Sequence, residues 1–195
     1  MRDLAILTFQ SLDGVMQAPS QPEEDVTGGF DLGGWAQPYW EDVMEQVKVE
    51  AMSAPYDFLY GRKTYDLFAA HWQNADPNEA ATQTINQAQK YVVTSRSDDL
   101  GWVNANRVEG NLPEAIGNLK RMDGPLLQVH GSWALIQQLL EHDLIDEFRL
   151  WTFPVILGKG KKLFQDAVTR RSLKQIRSGS TPGGVSMGFY RRAVD

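Results

Sequence analysis

Cysteine is absent from the 195 residues. That absence removes disulfides, thiolate zinc sites, CxxC redox pairs and thiol nucleophiles together. Histidine is scarce: His71, His130 and His142 are the three present. No two of them share the i, i+4 or HxH spacing that presents paired imidazoles to one metal, so a resident metal centre is not expected. Positive charge is also in short supply. Lys and Arg number 19 against 25 Asp and Glu, a net charge of −6, which is the reverse of the basic footprint that nonspecific nucleic-acid binding requires. No uncharged apolar run approaches the roughly 18 residues that span a bilayer. The short run from Met1 to Phe9, broken by Arg2 and Asp3, is too brief for the apolar core of a secretion signal. A cytoplasmic chain with neither a nucleic-acid nor a membrane partner is therefore expected.

What is present suits one domain spanning residues 1–195. With 42% apolar residues, a chain of this length buries roughly 70% of its unfolded surface in a single core. Short aliphatic or β-branched runs alternate with segments of helical period, the pattern of an α/β domain. Leu4 to Phe9 reads as the first strand. Ser11 to Gln37 has no period and is rich in Gly, Pro and acids, which suggests a flap over a functional site. Trp40, Val43, Met44, Val47 and Ala51 form the apolar stripe of a helix that must stop before Pro55. Asp57 to Tyr60 reads as a strand running into a helix that carries Tyr65, Phe68 and Ala69. Ala80 to Ala88 reads as helix and Tyr91 to Thr94 as strand. Leu112 to Met122 is a helix closed by Asp123-Gly124-Pro125. Leu126 to His130 is a strand leading into a helix that carries Leu135, Ile136, Leu139 and Leu140, with Ser132 as its expected N-cap. Asp146 to Phe153, with the run on to Leu157, reads as strand. Ser172 to Arg177 and Val185 to Arg192 read as a closing hairpin.

Three junctions carry polar chemistry: Gly61-Arg62-Lys63-Thr64, Thr94-Ser95-Arg96 and His130-Gly131-Ser132-Trp133. In open α/β sheets ligands gather at the carboxyl ends of the strands, where helix N-termini offer free N–H groups to anions. Two cations in a first helical turn oppose the helix dipole by about 0.3–1 kcal/mol each when exposed. A bound phosphate would reverse that sign, and the competing explanation is that Arg62 and Lys63 are simply solvated or pair with acids. Gly158-Lys159-Gly160-Lys161-Lys162 reads as an anion nest or as a charged surface loop. Trp35 and Tyr39, beside the long loop, are candidates to cover a planar substrate, or plain core aromatics.

Taken in order, Ser11-Leu12-Asp13-Gly14, Leu59-Tyr60-Gly61-Arg62-Lys63-Thr64-Tyr65, Tyr91-Val92-Val93-Thr94-Ser95-Arg96, Leu139 to Leu150 and Phe153 to Phe164 resemble the dihydrofolate reductase superfamily. The resemblance is to the branch that includes the C-terminal reductase domain of the bacterial riboflavin-biosynthesis deaminase/reductase, and it runs nearly end to end. It implies a mixed, mainly parallel eight-stranded sheet flanked by helices, binding NADPH in an extended pose. It further implies that Arg62, Lys63 and Thr64 hold the pyrophosphate and the 2′-phosphate side of the cofactor, and that Ser95 and Arg96 meet the adenosine 2′-phosphate, with Thr94 also among the cofactor-binding residues. Gly131, Ser132 and Trp133 would supply N–H groups from the other side, with Asp13 and Gly14 beside the nicotinamide. Homodimers are common in this branch, and the apolar Leu150-Trp151-Thr152-Phe153 makes one expected here.

Two departures qualify the resemblance. His130-Gly131 stands where the family usually has Gly-Gly, which dihydrofolate reductases often join by a cis peptide, so an imidazole is placed at the edge of the cleft. It is expected to be neutral at pH 7 and to face the cofactor, with a packed histidine as the alternative. The first-helix carboxylate of dihydrofolate reductases has its counterpart in Glu45, or else Glu45 belongs to an exposed charged face with Glu41 and Lys48. The resulting expectation is an NADPH-dependent reductase acting on a small planar heterocycle such as a pterin, pyrimidine or flavin, with Asp13, Glu45 or water as proton source. Reduction of a ribosylamino-pyrimidine in riboflavin synthesis and a non-catalytic NADPH sensor are the alternatives.

Overall fold

Strand β1, Leu4–Ser11, is apolar on both faces, and Leu4, Ala5, Ile6 and Leu7 are all buried. Such a run belongs inside a sheet covered on both sides. The computed structural model describes residues 1–165 and 170–193, with the backbone alone for residues 51–53. Among these residues β2 (Tyr56–Gly61), β3 (Lys90–Val93), β4 (Ala105–Val108), β5 (Leu126–His130), β6 (Glu147–Phe153), β7 (Leu173–Ser180) and β8 (Ser186–Arg192) join β1 in one eight-stranded sheet. Its order is β4-β3-β2-β5-β1-β6-β8-β7. The pairings from β4 through β6 are parallel, whereas β8 runs antiparallel to both β6 and β7.

Helices α1 (Trp40–Ser53), α2 (Arg62–Trp72), α3 (Ala80–Gln87), α4 (Leu112–Arg121) and α5 (Trp133–Glu141) cover the two faces. Leu4, Ile6, Leu59, Leu127, Val129 and Phe148 meet Ile116 and Leu119 of α4 and Leu135, Ile136, Leu139 and Leu140 of α5. On the other face Leu7, Trp151 and Phe153 meet Val43 of α1. Beside them Tyr56, Phe58, Tyr60 and Val92 meet Tyr65 and Ala69 of α2 and Ile85 of α3. Ala54 is extended after α1, as a residue before proline must be. The Ala51 member of the expected stripe has a side chain outside the described residues. No helix among the described residues is long and apolar enough to cross a membrane.

Several expectations need correction. β4 carries the sequence Ala-Asn-Arg-Val, an edge strand too short and polar to announce itself. β6 stops at Phe153, because Pro154 cannot donate to the ladder. The 11–37 segment is no loose flap. Val15, Met16, Gln17, Ala18, Phe30, Trp35 and Ala36 in it are buried, and most of them build the α1-side core. Trp151 and Phe153, expected to support self-association, are fully buried in that same core.

Candidate functional site

β2 and β5 are neighbours, so their carboxyl ends bring the first and third junctions together. The Gly61 N–H donates to Ser132 Oγ at 2.8 Å, and a Cβ at Gly61 would lie 3.1 Å from that oxygen. Ser132 does occupy the N-cap position of α5, but with φ 63° and ψ 66° and no side-chain bond to its own helix. The expected cap is therefore replaced by a tie between two junctions 71 residues apart. Gly131 is left-handed as well, at φ 65°, and the peptide bonds of the described residues are all trans. The Gly61–Ser132 bond sets the start of α5 beside that of α2, which begins at Arg62, and the first-turn N–H groups of a helix have no intrahelical acceptor.

The second junction joins the first through charge. Arg62 Nε donates to Asp66 Oδ1 at 2.7 Å and its NH2 to Asp98 Oδ2 at 2.7 Å. Arg96 NH2 reaches the same Asp98 oxygen at 2.8 Å, and its NH1 stands 3.5 Å from Asp66 Oδ2. The two guanidiniums sequence reasoning singled out thus close a ring with two aspartates. Burial opposes the ionised form of Asp98, but the hydrogen bonds from Arg62 and Arg96 prevail and hold its carboxyl below the usual range. The Arg96 N–H also donates to Thr94 Oγ1 at 3.1 Å, which shapes the turn. Ser95 is exposed and Thr64 half-buried.

A strap from the long loop crosses this region. Asp25 pairs with Lys63 at 3.2 Å and with Lys161 at 2.7 Å. Lys161 in turn lies over the Trp133 ring, 5.3 Å from its centroid, and Trp133 Nε1 donates to the Lys162 carbonyl at 3.0 Å. Desolvation opposes the Asp25 charge, but Lys161, Thr27 and Lys63 outweigh it and push its pKa far down. The Lys-rich 158–162 loop is thus tied to the strap. Gln17 Oε1 accepts from the Lys161 N–H at 3.0 Å, and Lys159 pairs with Asp31 at 2.6 Å.

Asp13 and Gly14 sit at the end of β1. Gly14 has φ 83° with open space where a Cβ would stand. Asp13 accepts from Ser11 Oγ at 2.7 Å and from the N–H groups of Leu157 and Gly158 at 3.1 and 2.9 Å. Desolvation is overcome by these bonds, which lower its pKa to about 2. Asp13 is therefore an ionised clamp on the neighbouring loop and carries no proton near neutrality. Glu45 is exposed on α1, in keeping with the charged-face alternative.

His130 turns away from the strand ends into an aromatic cage. It stacks on Tyr56 at 5.8 Å and meets Phe58 and Phe68 edge-on at 5.3 and 5.8 Å. Gln128 Oε1 accepts from Arg149 NH1 at 2.8 Å, which directs the Gln128 amide nitrogen to His130 Nε2 at 2.5 Å. The imidazole is neutral at pH 7, but the cause is burial, followed by the Arg149 charge, which together bring its pKa to about 3; the helix terminus is not needed. Trp35 and Tyr39 both stand edge-on to Phe153, at 5.3 and 5.7 Å. Trp35 donates to the Gln17 carbonyl at 2.8 Å and is 8% exposed, so it works as core; Tyr39 is half-buried. His71 and His142 are exposed at helix ends.

The residues present fit a dinucleotide's phosphates. Arg62 NH1 is buried with no hydrogen-bond partner, two helix N-termini converge, and cations from three segments surround them. Sequence reasoning missed Asp25, Asp66 and Asp98. The i, i+4 spacing of Arg62 and Asp66 and the Arg96-x-Asp98 spacing were the available signals, whereas nothing local announces Asp25.

Residues 3–186 match the family model described as the RibD C-terminal domain. The protein YyaP of Bacillus subtilis (strain 168), itself uncharacterized, is 32% identical over 135 residues, 68% of this chain and 71% of YyaP. A Shewanella sp. PV-4 protein provisionally assigned to riboflavin biosynthesis superposes with a TM-score of 0.64 at 21% identity over 100% of both chains. A pyrimidine reductase-like protein of Corynebacterium diphtheriae gives 0.60 at 13% identity over 100% of this chain and 93% of its own. Dihydrofolate reductase of Enterococcus faecalis, complexed with NADP(H) and RAB-propyl, gives 0.62 at 14% over 98% and 97%. At these identities the three structures establish a shared fold.

Proposed function

The chain belongs to the RibD C-terminal domain family, and from that premise we propose that it is an NADPH-dependent reductase acting on a small planar heterocycle. The observation that carries the reading is the convergence of Arg62 and Arg96 on a single oxygen, at 2.7 and 2.8 Å, beside the open N-termini of α2 and α5. Arginine forks in that arrangement suit a phosphate ester. The dinucleotide, when bound, supplies a hydride to an electrophilic C=N or C=O carbon.

The chain's own residues bind and orient. Arg62 and Arg96 take the adenosine phosphate, and the first turns of α2 and α5 take the diphosphate with Lys63 alongside. Gly14 lets the backbone approach the reacting ring closely. Asp13 fixes the 157–158 loop against the end of β1, and its ionised state leaves Glu45 or water as the proton source. The substrate class draws support from the pyrimidine reductase-like and riboflavin-associated relatives, which favour a pyrimidine or related ring.

Titration calorimetry of the unmodified chain with NADPH and NADH tests the reading. NADPH is expected to bind more tightly, and Arg96→Ala to narrow the gap. Equal affinities in the unmodified chain would overturn the NADPH assignment. NADPH absorbance followed with a panel of pyrimidines, pterins and flavins separates an enzyme from a silent binder.

A further inference from the structure

The ring of Arg62, Arg96, Asp66 and Asp98 is electrically balanced, two charges of each sign. A phosphate that enters it gains nothing from net charge unless one carboxylate leaves. The two carboxylates are not equivalent. Asp66 is built into α2 one turn after Arg62 and holds its Nε. Asp98 lies in the loop after β3, its backbone carbonyl held by Arg107 NH2 at 2.9 Å and its Oδ1 accepting from Arg96 Nε at 3.1 Å. Its Oδ2 alone is within 2.8 Å of both guanidiniums. That oxygen marks the one point in the ring where an ester phosphate oxygen would be gripped by both arginines.

Building on the dinucleotide reading above, we propose that Asp98 sets the cofactor preference of this cleft. Its carboxylate competes with the 2′-phosphate of NADPH for Arg62 and Arg96, and it offers the 2′-hydroxyl of NADH a hydrogen-bond acceptor. With NADPH the side chain must rotate out, since its Oδ2 occupies the position between the two NH2 groups that the phosphate oxygen would take. With NADH it stays and accepts from the ribose. Removing its charge therefore moves the two affinities in opposite directions, which a change in loop stability cannot do.

The test is calorimetric titration of the unmodified chain, Asp98→Asn and Asp98→Glu with NADPH, NADH, adenosine 2′,5′-bisphosphate and AMP, with melting temperatures recorded alongside. Asp98→Asn is expected to tighten NADPH and the bisphosphate about fivefold, the factor expected for removing a competitor at the upper end of exposed ion pairs. It is expected to weaken NADH and AMP by a similar factor, and Asp98→Glu to restore the original order. Shifts of the same sign for both cofactors, with or without a lower melting temperature, overturn the proposal, as does no shift at all. If the unmodified chain binds neither dinucleotide, the underlying reading fails and this proposal with it; dinucleotide binding with same-sign shifts removes the proposal alone.

Discussion

His130 was legible as a side chain at an unusual place but not as to where it points. Its position at a strand end beside Gly131 suggested the cleft, yet Tyr56, Phe58 and Phe68, none adjacent in sequence, supply a cage that only the folded sheet assembles. Stability follows from that burial. The folded pKa of about 3 lies below the unfolded value of roughly 6.5, so the unfolded chain binds the extra proton. The contribution is complete above about pH 6.5 and is lost as pH falls toward the folded value. Denaturant midpoints should therefore decline between pH 7 and pH 4, and His130→Phe, which refills the cage without a titrating group, should flatten that decline. An identical slope in the variant would show that the imidazole titrates elsewhere. Asp13 differs in that its depressed pKa, about 2, places its loss of stabilisation below about pH 4, so of the two groups only His130 acts between about pH 6.5 and pH 4.

Elements with a strong period were readable because each of their residues votes for the same face: α4 and α5 and the strands of the buried sheet centre emerge from apolar spacing alone. β4 escaped because Ala105, Asn106, Arg107 and Val108 give an edge strand no alternation to see. Ser132 stands at the expected N-cap position, but its hydroxyl does not cap the helix. Local rules make Ser before a helix a cap, but the close approach of β2 claims its hydroxyl for Gly61, a partner no local window contains. Ser132→Ala should leave that N–H unsatisfied and cost about 1–2 kcal/mol. Ser132→Gly loses the same bond but relieves the left-handed backbone, a conformation that costs non-glycine residues roughly 1–2 kcal/mol, so it should be the milder change. Equal midpoints for the unmodified chain and Ser132→Ala in urea unfolding would mean that the tie contributes nothing.

The whole molecule depends on a segment that has no period. Residues 11–37 reach from the end of β1 to α1, contribute Phe30 and Trp35 to the core, and carry Asp25 to a point between Lys63 at the start of α2 and Lys161. Three stretches distant in the chain are joined there by one carboxylate, and no spacing rule could have paired them. The Asp25 pKa is far below its unfolded value, so the tether is present above about pH 4 and is lost only as pH falls further toward the folded value. Across neutral pH it is constant. Salt acts differently: at 1 M the screening length falls to about 3 Å, and the partly exposed Lys63 arm should weaken before the Lys161 arm. Hydrogen exchange measures this by segment. Asp25→Asn should speed exchange at residues 17–31 and 159–161 while leaving Trp35 and Ala36, held by apolar packing, unchanged. High salt should produce a smaller version of the same map in the unmodified chain and none in the variant. Acceleration that spreads evenly to Trp35 and beyond would show that the loop opens as one unit with the core and that Asp25 does not govern it.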